Sequence, residues 1–168
     1  MSSEMVVLRI LHIVPGAFWV GTAIFMALIL EPVARKAGPQ IEGPLVSALW
    51  RRTGHIMTAT GALTIIIGLV LIDRTPGKGY DQLFANGWGI AIGIGLVTSL
   101  IALVAGLMIE VAAASMNKLA AGSKPGTPPA PETMASMEKL KTRLRTVSRV
   151  NAVMVVVAVG TMAAARFV

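Results

Sequence analysis

Arg9-Ile10-Leu11-His12-Ile13-Val14-Pro15-Gly16-Ala17-Phe18-Trp19-Val20-Gly21 continues without another charge to Leu30. A helix needs about 20 mostly apolar residues to cross the hydrocarbon core of a bilayer, and this stretch is long enough. It also carries a histidine inside its apolar run. Hydrocarbon penalises an ionisable group unless something pairs with it, so such a group is a functional hypothesis by default. Three further runs of similar character follow, and the four occupy residues 10–30, 54–72, 88–109 and 150–168. The reading is an all-α integral membrane protein, a single domain built as a four-helix up-down bundle.

Composition agrees. The 168 residues are 55% hydrophobic and only 14% charged, with a mean hydropathy of +0.75. Cysteine is absent, which excludes disulfides and thiolate metal sites. The first run is too long for a signal-peptide core and lacks a cleavage pattern after it, so it is expected to be retained. The net charge of +7 is distributed as a topology signal, and nucleic acid is not an expected partner. Arg9, Arg74, Lys78 and Arg166 fall on the face that holds the termini and the 73–87 loop, whereas the other 11 of 15 basic residues fall on the opposite face. The positive-inside rule then places both termini outside and the proline-rich 122–131 linker in the cytoplasm. Anionic lipid headgroups are the natural partner of that basic face.

Punctuation in the chain sets further expectations. Pro15 should leave the Leu11 carbonyl without its usual donor and kink the first helix. The first helix should close near Glu31-Pro32, with a cytoplasmic turn from Ala37-Gly38-Pro39 to Gly43-Pro44 and a second helix from about Leu45. Gly54, Gly61 and Gly68 recur every seven residues on one face, and Gly89 and Gly93 form a small-xxx-small pair. Such faces let backbones approach closely in lipid, predicting self-association or docking in a membrane complex. The fourth helix should restart near Glu132, carrying Lys139, Lys141, Arg143 and Arg145 outside the membrane.

Depth sorts the chemistry. Counting at about 1.5 Å per residue from the middles of the runs, His12 lies roughly 12 Å toward the outside and His55 roughly 12 Å toward the cytoplasm. One iron cannot bind both. Met162 and Arg166 share the depth of His12 and Arg9, each pair lying on one helical face. Imidazole and thioether are a known axial pair for heme iron, and Arg9 and Arg166 would meet propionates near the interface. Gly16, Gly68, Gly93 and Gly160 lie at matching depth and could leave room for a macrocycle. The bland readings are core filler for Met162, snorkelling for the arginines and a carbonyl-bonded structural role for His12. His55 has Met26, Met108, Glu31 and Glu110 at neighbouring depth, a weak second metal set. No nucleophile–base pair or phosphate loop lies in the membrane, so hydrolytic chemistry has no support.

Leu11-His12 followed by Phe18-Trp19-Val20-Gly21, then Trp50-Arg51-Arg52 with Gly68, and the closing Met162-Ala163-Ala164-Ala165-Arg166-Phe167 resemble a group of small bacterial membrane proteins. The group holds the copper-resistance D-type membrane domain, the four-helix heme-pathway protoporphyrinogen oxidases and their uncharacterised relatives, to which the likeness is nearest. The resemblance implies a bacterial inner-membrane bundle whose first-helix histidine, here His12, binds heme b. Where the oxidase-type sequences continue with tyrosine, arginine and histidine, this chain has Ala27-Leu28-Ile29-Leu30-Glu31-Pro32, so porphyrinogen oxidation is not carried over. The expected function is a b-type heme protein for electron transfer or redox sensing. The competing expectations are a cofactor-free accessory or assembly subunit and a copper-handling membrane protein.

Overall fold

The computed structural model describes residues 2–121 and 130–168, so the expected 122–131 linker lies almost wholly outside the described residues. Every regular element among them is helical. They are α1 (Ser3–Phe25), a π-helical turn (Met26–Leu30), α2 (Glu31–Lys36), α3 (Pro39–Arg74), a short 3₁₀ turn (Tyr80–Gln82), α4 (Gly87–Ala121) and α5 (Pro131–Ala164). Four stretches are long and apolar enough to cross a membrane: Ser3–Lys36, Arg52–Arg74, Gly87–Leu119 and Pro131–Ala164.

Side-chain size is distributed as lipid demands. Large apolar residues such as Val14, Ile66, Val104 and Val153 point outward, while Ala102, Ala105, Ala152 and Ala158 line the interior. Lipid tails are as apolar as leucine, so burial of apolar surface does little to drive these helices together; close packing does. Trp19, Trp50, Met57, Ile65, Ile109 and Val155 supply the bulk of the core. Thr98, Ser99, Ser148 and Asn151 are buried among them.

The α1–α3 seam explains the seven-residue glycine repeat. Proceeding along α1, His12 lies over Gly68, Gly16 meets Thr64, and Trp19 covers Gly61. A methyl group added at Gly61 would stand 2.8 Å from the Trp19 ring, and one at Gly54 would press on the Glu110 side chain of α4 at 3.4 Å. Gly93 takes the Phe84 ring, and Gly89 lies against the Gln82 carbonyl. These faces are therefore occupied within the chain, which removes the motive for reading them as docking surfaces.

Two boundaries depart from expectation. The first crossing does not close at Pro32; it passes through the π turn, where the Glu31 N–H reaches the Met26 carbonyl five residues back, and continues to Lys36. Proline is tolerated there because it occupies the first turn of the new α-helical segment, where its missing N–H costs little. The expected turn to Pro44 is also much shorter. Gly38, at φ 96°, makes the reversal in a conformation that suits glycine. Pro39 then starts α3 at once, six residues ahead of the expected Leu45.

The loop after α3 is tied down by the Tyr80 hydroxyl, which donates to the Leu69 carbonyl at 2.8 Å. Lys78 Nζ lies 4.8 Å from the centre of the Trp88 ring. Asn86 Oδ1 caps α4 by accepting from the Gly89 N–H at 2.9 Å, a contact whose loss typically costs about 1 kcal/mol. Asn86→Ala should therefore lower thermal stability by that amount, read from a melting curve in detergent, whereas Asn86→Asp should retain it.

Candidate functional site

His12 sits half-buried in the α1–α3 seam. Its Nδ1 lies 2.8 Å from the Thr64 carbonyl oxygen. A carbonyl can only accept, so Nδ1 carries a proton, and in the neutral ring the lone pair is then on Nε2. The Cε1 edge of the ring meets Gly68, where an added methyl would stand 2.9 Å from Cε1. Thr64 positions that carbonyl while its own hydroxyl donates back to Thr60 at 2.7 Å. This is the usual second-shell arrangement of a ligating histidine, with one nitrogen bonded to a carbonyl and the other free for a metal. It is equally the arrangement of a structural histidine.

The residues expected beside His12 are only partly brought to it. Arg9 is exposed one turn nearer the terminus. Arg166 is exposed, with its guanidinium 5.9 Å from the Phe167 ring centre. Met162 packs against Gly95, within 2.8 Å of where a methyl there would stand. His12 thus belongs to the α1–α3 seam and Met162 to the α4–α5 seam. Of the four glycines expected to leave room, Gly16 is covered by Thr64, Gly68 by His12 itself and Gly93 by Phe84, whereas Gly160 faces open space.

His55 is held quite differently. Its Nδ1 is hydrogen-bonded to Glu110 Oε1 while its own side chain remains 87% exposed. Thr58 Oγ1 donates to the second carboxylate oxygen at 2.9 Å. Of the expected neighbours only Glu110 is bound to it; Glu31 instead lies beside Ser148 of α5. Among the described residues no group of three or more His, Asp or Glu side chains converges as a metal site. His12 meets α3 at Thr64 and Gly68, some ten residues along from His55. At 1.5 Å per residue that is roughly 15 Å.

No family model, curated protein or solved structure matches the chain. Function has to be argued from the side chains.

On that ground His12 fits an iron ligand by its tautomer and its partner. The macrocycle is not accommodated by the glycines nominated for it, and Met162 does not face His12 across a shared seam. The sequence reading passed over a second feature, the polar groups that α5 turns inward. Arg145 Nη2 donates to Glu42 Oε1 at 3.0 Å, and Ser148 and Asn151 are buried beyond it. The signal was present: Lys141, Arg145, Ser148 and Asn151 recur at helical spacing on one face, while Lys139 and Arg143 fall on the other.

Proposed function

We propose that this chain is a multi-pass protein of the bacterial inner membrane that binds a b-type heme through His12, for electron transfer or redox sensing. The observation that carries the reading is the Nδ1–H bond from His12 to the Thr64 carbonyl, which occupies one ring nitrogen and leaves Nε2 as the position a metal would take. A bound heme would supply one-electron exchange; the protein's part is to fix the orientation of the imidazole. The resemblance of Leu11-His12 and Phe18-Trp19-Val20-Gly21 to the copper-resistance D-like and protoporphyrinogen-oxidase-like group supports the same assignment. His12 is the only ligand in this proposal.

Purified protein from heme-replete cells should show a Soret band with sharp bands on reduction. His12→Ala should remove them, and His55→Ala should leave them unchanged. Met162→Leu should leave the reduction potential where it was; a fall would restore the thioether as a ligand. Colourless, well-folded protein sinks the proposal and leaves a cofactor-free accessory subunit in its place.

The same proposal includes an up-down bundle with both termini outside. It is supported by the charge division and by the α1–α3 seam, where residues 12, 16 and 19 meet 68, 64 and 61 in turn. At one end Glu4 bonds Arg74 at 3.2 Å and Val168 meets Gly87. Single cysteines at Ser3 and Ser136 should label from opposite sides of sealed cells. External labelling of Ser136 reverses the orientation.

A further inference from the structure

At the end of the bundle away from His12, a half-open cavity of about 60 Å³ is bounded by α2, α3, α4 and α5. A water needs roughly 10–15 Å³ on such a measure, so several water-sized groups fit. Val46, Trp50, Met116 and Leu144 make most of its wall apolar. The charged lining is divided by element. Glu31 and Glu42 come from α2 and α3, and Lys141 and Arg145 come from α5. Glu42 and Arg145 neutralise one another at 3.0 Å. Glu31 lies near the neutral hydroxyl of Ser148, with Arg145 and the exposed Arg149 close enough to be felt. Lys141 is half-buried on the same cavity. Among the described residues no ion pair joins Glu31 to Lys141.

A carboxylate and an ammonium thus face one small, largely apolar space while remaining more than an ion-pair distance apart. In such surroundings each is stabilised by a counter-charge more than it would be in water. A single ligand satisfies both if it carries opposite charges a few bonds apart. We infer that this cavity binds a zwitterionic phosphoethanolamine headgroup, with its primary ammonium on Glu31 and its phosphate on Lys141. An ammonium with N–H donors suits a carboxylate acceptor, whereas a trimethylammonium offers no donor and is larger. Val46 and Leu144, both half-buried, supply apolar wall on which the first methylenes of a phospholipid's chains would lie. The same headgroup could also arrive free of its chains.

Native mass spectrometry of the full chain tests this, using detergent micelles doped with equal amounts of phosphatidylethanolamine, phosphatidylcholine and phosphatidylglycerol. One ethanolamine lipid should be retained roughly tenfold over the choline lipid, as loss of one charge-assisted hydrogen bond predicts. Retention by wild type should fall stepwise through the mono-, di- and trimethylated ethanolamine lipids, a series that needs no variant. Glu31→Gln and Lys141→Met should each bring the preference close to one, while Lys139→Met and Arg143→Met should not. Free phosphoethanolamine at millimolar concentration displacing the lipid identifies the headgroup as sufficient. Retention that resists such displacement assigns the lipid as the source. Equal retention of ethanolamine and choline lipids overturns the inference. So does preference for phosphatidylglycerol, or selectivity that survives both Glu31→Gln and Lys141→Met in folded protein. None of these outcomes depends on whether His12 binds heme.

Discussion

Trp19→Ala will be among the most damaging single substitutions in this bundle. The indole is 4% exposed and fills the notch left by Gly61 on α3. In a water-soluble core such a truncation costs about 3–5 kcal/mol, combining lost transfer energy with the cavity left behind. In lipid the transfer share largely disappears, leaving a packing loss on the order of 1–3 kcal/mol. Gly61→Ala should cost about the same from the opposite side, because its methyl would meet an aromatic ring held by its surroundings. Titration from mild detergent into a denaturing one measures both. Gly21 faces open space, so Gly21→Ala is the control that should leave stability unchanged. If Gly61→Ala leaves stability intact and only changes oligomeric state, the seam has been misassigned and that glycine meets another chain.

Glu110→Ala is expected to loosen the α3–α4 pair at the end away from His12. The carboxylate is 21% exposed, accepts from His55 and Thr58, and packs its stem on Gly54. Removing it strands the Thr58 hydroxyl and opens space beside the glycine. Hydrogen bonds to a charged group are worth about 1.5–3 kcal/mol each. The exposure of His55 means its share is discounted, so a loss of about 1–2 kcal/mol is expected. Glu110→Gln keeps one acceptor oxygen and the bulk, and its amide N–H can be met by the Thr58 hydroxyl accepting, so it should recover part of the loss. Hydrogen exchange at the α3–α4 contact, compared between the two variants, distinguishes lost bonding from lost bulk. Equal loss of protection in both variants would assign the effect to the carboxylate rather than to packing, because Gln keeps the bulk that Ala removes.

Much of the architecture can be read from residues whose physics is local. The four spans follow from runs of apolar side chains, and the separation of His12 from His55 follows from counting residues per turn. What a helix touches is less local. The spacing of Gly54, Gly61 and Gly68 identifies a face that needs small residues, yet Trp19, His12 and Glu110 are the reason, and they lie on other helices. The cations of α5 show the same limit. Lys139, Lys141, Arg143 and Arg145 read alike in a one-dimensional charge count. Only the positions of Glu31 and Glu42 divide them into an inward pair and an outward pair. The depth of Met162 was legible, but which seam it packs in is a matter of rotation about the helix axis. The π turn left no sequence signature beyond the proline that follows it.

That turn has a consequence for the phase of the first crossing. Upstream of it, His12, Gly16 and Trp19 are directed at α3; just downstream, Glu31 is directed at Ser148 of α5. A π turn acts as one residue inserted into a regular helix, and one residue is worth about 100° of rotation. The first crossing therefore behaves as two rods spliced out of phase, so that the inner one brings Glu31 toward α5 while both still pack on α3. Deleting a single residue from Met26–Leu30 would bring the rods back into step. With the outer rod kept on α3, the inner one would be rotated, and Glu31 would lose its place beside Ser148 although neither residue had changed.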